Sequence, residues 1–345
     1  EFNAYTGQEF TGYWVKVEAS KIEKAIEMLS EMLINSKFPT EEIERERGVI
    51  LEEMNMIQDE PMRYIYSIFN QCLFGDTPLG QEIIGIKDNI KKFTRDNFVK
   101  YYNTHYTPDN LTIAVAGKLD NPEKLIEKYF SYDKKLEDYH KEAFVINQSS
   151  PKILIKQKKT DQAHLSIGFH AYPIGHQNEI GLKLIAKILG GCMSSRLFNE
   201  LRGKNGLAYY VNSHVDSYTD AGYITSNAGV PVDKIEEAIQ IIMTEYKKIK
   251  TTLISEEELA RAKNIILGRL AIQLEASDEI AEWYAENFLM RNKIFRPEEF
   301  IAEVNKVTTA DLQRIAKEIL DESKLNLAVI GNYEDEAPFV KLLKI

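Results

Sequence analysis

The sequence predicts an α+β protein made of two homologous domains, and three observations carry that prediction. First, the second half repeats the first. LTIAVAG at Leu111–Gly117 matches LNLAVIG at Leu325–Gly331, and FTRDNF at Phe93–Phe98 matches VTTADL at Val307–Leu312. Both pairs lie 214 residues apart (331 − 117 and 308 − 94). KIEKAI at Lys21–Ile26 likewise matches KIEEAI at Lys234–Ile239. Agreement in order and spacing points to two copies of one unit of about 200 residues, not to a short-period solenoid. Second, strand-like and helix-like stretches come in runs without βαβ alternation, which favours α+β over a doubly wound parallel sheet. Third, the chain has 345 residues, 44% hydrophobic and 28% charged, enough for two domains with a sizeable core.

Taken in order, Asn3–Glu18 has strand character, with a Gly7-Gln8 turn inside and Tyr13, Val15 and Val17 alternating. Ser20 is placed to cap a helix that buries Ile22, Ala25, Ile26 and Leu29. A second helix is expected over Thr40–Asp59, with Thr40 as its N-cap and Glu41 and Glu42 at the positive end of its dipole. A third runs from about Pro61 to Cys72, until Gly75, Asp76 and Pro78 break the pattern. Thr94 caps a helix through Tyr102, Pro108-Asp109-Asn110 turns into the strand LTIAVAG, and a helix follows at Pro122–Phe130. A polar, charged span ending in Gln148-Ser149-Ser150-Pro151 reads as the linker, giving domains 1–147 and 148–345. Residue 1 is Glu and the text opens inside an element, so the N-terminus reads as a truncation and the first domain as incomplete.

The helix Thr40–Asp59 holds an oddity. Ile43, Ile50, Met54 and Ile57 share one face, yet Glu46 and Glu53, seven residues apart and within roughly 20° of each other, fall inside that apolar arc. A carboxylate aimed at a core needs a cation, a metal or strong donors. The repeat bears on this. Ile43–Glu53 corresponds to Leu259–Arg269, where Ala262 stands opposite Glu46 and Arg269 opposite Glu53. The fold therefore does not require acids there, and both a buried Glu–Arg pair and a metal or catalytic role stay open.

The net charge of −10 argues against broad nucleic-acid binding, which needs a basic footprint. Cys72 and Cys192 cannot build a disulfide framework and suit a reducing, cytoplasmic compartment. No apolar run approaches a membrane span.

NAYTGQEFTGYW at Asn3–Trp14, ERERGVILEEM at Glu44–Met54 and GGCMSSRLFNELRGKNGLAYYV at Gly190–Val211 together resemble the pitrilysin family of zinc peptidases. That family includes insulin-degrading enzyme and mitochondrial processing peptidase. The resemblance runs over essentially the whole chain. It implies the processing-peptidase-like metallohydrolase fold, in which each domain is a mainly antiparallel sheet with helices packed on one face. It also implies a zinc metalloendopeptidase that encloses a peptide or unfolded polypeptide between its domains. Glu53 matches the third zinc ligand, and Glu46 the acid that orients a ligand His. Asn3, Ala4, Tyr5 and Thr6 match an edge strand that receives substrate by β-addition. Arg202 and Tyr209 match a pair that reaches the scissile peptide, although Tyr210 stands beside Tyr209. The family's H-x-x-E-H is absent from the six histidines 105, 140, 164, 170, 176 and 214. The nearest miss is His176-Gln177-Asn178-Glu179, followed by Ile180. The resemblance places the true motif upstream of Glu1, so the chain as given is expected to bind zinc weakly and to be inactive. The alternative is a non-catalytic subunit that binds peptide beside a catalytic partner, as a homodimer or heterodimer. A third reading, a binding protein with salt-bridged acids, sets the family aside.

Overall fold

The computed structural model describes residues 1–134 and 141–344. His140 and part of the polar span after Phe130 lie outside the described residues. The chain runs β1 (Phe2–Thr6), β2 (Thr11–Val15), α1 (Ile22–Ile34), α2 (Thr40–Asp59), α3 (Pro61–Phe74), α4 (Lys87–Lys92), α5 (Arg95–His105) and α6 (Pro122–Phe130). It continues with β3 (Lys152–Gln157), β4 (Gln162–His170), α7 (Glu179–Gly190), a π-helical stretch (Phe198–Lys204), β5 (Tyr210–Ser217) and β6 (Gly222–Pro231). The last part holds α8 (Ile235–Thr251), α9 (Glu256–Gln273), α10 (Ser277–Arg291), α11 (Pro297–Lys306), α12 (Thr309–Ile319), β7 (Leu325–Gly331) and α13 (Ala337–Val340). The fold is α+β.

The repeat is visible in the elements. Thr94 and Thr308, 214 residues apart, each close a capping box on the residue three further on, Asn97 and Asp311, and so start α5 and α12 at equivalent positions. Ser20 does not cap α1. Its hydroxyl donates to Glu18, and α1 is entered through the 3₁₀ turn Ala19–Lys21, just as α8 is entered through Val232–Lys234. Nor is Thr40 the cap of α2: the Pro39 carbonyl already accepts from the Glu42 and Ile43 amides, which puts Thr40 inside the first turn.

Two compact units form. Unit 1 comprises Glu1–Met56, Glu82–Glu142 and Ala271–Phe295; unit 2 comprises Ile57–Gln81, Ala143–Leu270 and Arg296–Ile345. Each unit draws residues from both sides of the 147/148 division expected from the sequence. The segment 57–81, which carries α3, joins unit 2, and its counterpart 271–295, which carries α10 and lies 214 residues further on, joins unit 1.

Unit 2 holds a five-stranded sheet in the order β3-β7-β4-β6-β5, antiparallel except for the β3–β7 pair. Its two faces differ in chemistry. Leu165, Ile167 and Phe169 of β4 and Leu325, Leu327 and Val329 of β7 are fully buried and join α7, α8 and α12 in the main core. The opposite face carries His164, Ser166, His170, Asn212, His214 and Asn227, and α3 covers part of it through Ile65, Ile68, Phe69 and Leu73. Helices therefore lie on both faces of this sheet, not on one.

Unit 1 contains the hairpin β1–β2, antiparallel from Phe2↔Val15 to Thr6↔Thr11. The expected strand LTIAVAG is not one: Leu111–Gly117 is irregular, whereas its counterpart LNLAVIG is β7, buried at every position. The reason is pairing. Strand β7 lies between β3 and β4, while Leu111–Gly117 pairs with no strand among the described residues, and β-propensity without a ladder does not make a strand.

Candidate functional site

In unit 2 the two residues expected to meet the peptide are side by side. Leu197 and Leu201 are fully buried and root the π-helical stretch in the core, leaving Arg202 on its exposed side. The chain then turns back. Gly206 takes φ 61°, the left-handed region that favours glycine. The Leu201 carbonyl accepts from the Leu207 amide at 2.7 Å and from the Ala208 amide at 3.2 Å. Tyr209 next donates its amide to the Gly229 carbonyl of β6 at 2.9 Å, which ties it to the end of the sheet. Arg202 closes the arrangement, with Nη1 donating to the Tyr209 carbonyl at 3.2 Å and its guanidinium 5.4 Å from the Phe198 ring centroid.

The two neighbouring tyrosines differ in their surroundings. Tyr209 is 75% exposed, with its ring toward solvent. Tyr210 turns onto the sheet, its hydroxyl 3.0 Å from His164 Nδ1, and burial pushes its phenol pKa up. A guanidinium and a free phenol on one exposed edge form a donor pair suited to an oxygen that gains negative charge.

In unit 1 the residues expected to receive substrate lie on β1. Glu1 and Lys16 exchange both backbone bonds, so by antiparallel alternation Phe2, Ala4 and Thr6 turn their backbone groups to the other edge. That edge pairs with no strand among the described residues. Asn3 Oδ1 accepts from the Ala4 amide at 2.9 Å, occupying a donor that an incoming strand would use. Tyr5 is half-buried, and burial followed by the Glu282 carboxylate pushes its phenol pKa up.

The two acids of α2 correct the sequence picture. Both Glu46 and Glu53 are exposed, two turns apart, and Met54 is the buried residue of the helix. Neither forms an ion pair among the described residues, so the buried Glu–Arg pair is not formed. The equivalent of Glu46 in α9, Ala262, is 2% exposed and sits in the core. Arg269, equivalent to Glu53, donates to the Gly191 carbonyl at 3.2 Å.

A catalytic zinc needs about three protein ligands and an open position. The donor set here does not fit that requirement. Among the described residues no group of three or more His, Cys, Asp or Glu side chains can hold a metal ion. His176 stacks on Tyr172 at 4.1 Å, and the buried Glu179 accepts from the Gly175 amide and from Lys183. His170 is buried between Phe74 and Phe144, and the His105 ring lies tilted against Tyr101, 4.3 Å between centroids. These roles are structural, and no metal-dependent step follows from these residues. Cys192 is half-buried, with its thiol 3.2 Å from the Ser194 hydroxyl. Among the described residues no helix is long and apolar enough to cross a membrane.

Comparison with known proteins gives a consistent result. A family model described as "Insulinase (Peptidase family M16)" matches residues 1–87, and one described as "Peptidase M16 inactive domain" matches residues 92–266. The chain is similar to the uncharacterized zinc protease YmxG of Bacillus subtilis, 31% identical over 331 residues that cover 93% of this chain and 78% of the relative. It is also similar to an uncharacterized zinc protease of Rickettsia bellii, 34% identical, covering 96% and 80%. Among solved structures it superposes on a protease from Helicobacter pylori with a TM-score of 0.89, 23% identity, and 96% and 82% coverage. It superposes on a chain of complex III2 from Candida albicans with a TM-score of 0.86, 17% identity, and 100% and 85% coverage. At those identities the structural likenesses speak for the fold.

Proposed function

The chain belongs to the insulinase family, peptidase family M16, and from that premise we propose that the complete protein is a zinc metalloendopeptidase acting on peptides or unfolded polypeptide segments. The observation that carries this reading is the Arg202–Tyr209 pair, in which the Arg202 guanidinium donates to the Tyr209 carbonyl and the Tyr209 ring is exposed. In this reading 1–147 belongs to one domain and 148–345 forms the other, and each brings its part. Tyr209 and Arg202 donate to the scissile carbonyl as its oxygen gains charge. The open edge of β1, Asn3 to Thr6, pairs with the substrate backbone, which suits loose sequence preference. Glu53 is one metal ligand and Glu46 the acid that orients another. Zinc, when bound, supplies Lewis acidity, and among the described residues no group of three or more donors completes its site.

The relatives' printed names, zinc proteases, support the reading. A second reading has one observation in its favour. The model matched over residues 92–266 describes an inactive domain, which suits a peptide-binding subunit that works beside a catalytic partner. Proteolysis assays separate the two. The complete protein should cleave a disordered polypeptide and lose that activity to a zinc chelator. Peptide binding without cleavage would favour the subunit.

A further inference from the structure

Building on the reading that Arg202 and Tyr209 meet the peptide, we propose that Arg196 is a positioning residue for them, acting through a bidentate ion pair with Glu258. Arg196 stands two residues before the π-helical stretch. Its Nε and Nη2 donate to the two carboxylate oxygens of Glu258 at 2.7 and 2.8 Å, the fork geometry that fixes a guanidinium in orientation as well as place. Glu258 lies in the first turn of α9, where the dipole favours an anion, and its carboxylate also accepts from Ser255. The third group is Glu245 of α8, nearly buried, 4.0 Å from Arg196 Nη1 and bonded by Lys248 at 2.6 Å. One side chain thus ties α8 and α9 to the root of the stretch that carries Arg202.

From that root the connection to the site is short. Leu197 and Leu201 pack in the core directly after Arg196, and the Leu201 carbonyl takes the two amides that fold the chain back to Tyr209. A shift of the root therefore moves Arg202 and Tyr209 together. A π-helical stretch is seldom stable on its own geometry and needs outside support of this kind. The cavity of ≈ 660 Å³ beside the pair is lined by Arg196, Lys204, Lys248, Glu200 and Glu245, among others. Its cations already have carboxylate partners, with Lys204 on Glu200 at 2.7 Å, so it offers no spare charge to recruit an ionic ligand. The charges serve the framework.

The test uses the chain as it stands, with amide hydrogen exchange as a readout independent of any peptide. In Arg196→Met, and in the milder Glu258→Gln, the amides of Leu207, Ala208 and Tyr209 should exchange at least roughly tenfold faster, while those of Leu165 and Ile167 in β4 stay unchanged. Arg196→Lys should behave like Arg196→Met, because an ammonium cannot form the fork. Unchanged exchange at residues 207–209, or a uniform rise that includes β4, would overturn the proposal. Affinity for a dye-labelled disordered peptide adds the functional arm. Arg202→Ala and Arg196→Met should each weaken binding, and the double variant should lose less than the product of the two single factors; fully multiplicative losses would count against positioning. If Arg202→Ala leaves affinity unchanged, the peptide-contact reading fails, and the exchange data still decide the role of Arg196.

Discussion

Tyr209 and Tyr210 are neighbours in opposite surroundings, the first exposed and the second turned onto the sheet. Tyr210→Phe removes the His164 hydrogen bond inside a half-buried site and should cost about 1 kcal/mol of stability by urea denaturation. Tyr209→Phe should leave the denaturation midpoint unchanged, since its ring faces solvent. Under the proposed peptidase reading it should lower kcat more than it raises KM. A pure KM effect would move Tyr209 to substrate binding. His170 offers a pH test. Burial, with Lys152 and Lys324 nearby, lowers its pKa from 6.5 to about 4. Above pH 6.5 the ring is neutral in both states and its full contribution is present. As pH falls from 6.5 towards 4 the unfolded chain takes up the proton first, so stability should drop by about 3 kcal/mol. His170→Leu should flatten that slope between pH 7 and 4, and an unchanged slope would assign it to other groups. The sequence could not tell the two tyrosines apart, because which side a strand entrance presents depends on the register of its partner.

The elements show what local sequence can and cannot reveal. The caps Thr94 and Thr308, the helices α3 and α6 and the hairpin β1–β2 are legible because their signals lie within a few residues. The strand LTIAVAG is misread because a strand needs neighbours that no local pattern reports. The apolar arc of α2 is real, yet Glu46 and Glu53 are exposed, because the helix's neighbours decide which arc is covered. The role of Arg196 is not legible in the sequence, because its partner, Glu258, lies 62 residues away. Gly190 is the last residue of α7, and the structure gives a reason for glycine there. A Cβ on Gly190 would come within 2.5 Å of the Ser213 amide of β5. Gly190→Ala should therefore push β5 away and destabilise the protein by about 1–3 kcal/mol. A loss of a few tenths would mean that the loop absorbs the methyl.

At the scale of the molecule, the repeat legible in the sequence is also a reciprocal exchange of segments. Residues 57–81 serve unit 2, and 271–295 serve unit 1. That exchange was not legible, since the sequence marks copies and not where each copy's helices pack. A fragment comprising 148–345 lacks α3, whose Ile65, Ile68 and Phe69 cover part of the sheet. It should melt well below the whole chain and bind a hydrophobic dye, and a fragment that begins at 57 should recover much of the difference. Equal melting temperatures would mean that α3 adds little to unit 2.

The most direct measurement of the proposed function is made on the complete protein. Zinc content and cleavage of a disordered polypeptide should be compared between wild type and Glu53→Gln, with circular dichroism to confirm an intact fold. Stoichiometric zinc and cleavage in the wild type, both lost in a folded variant, are the predicted result. Zinc and cleavage retained in Glu53→Gln would contradict the ligand role of Glu53, and a wild type that neither holds zinc nor cleaves would contradict the peptidase itself.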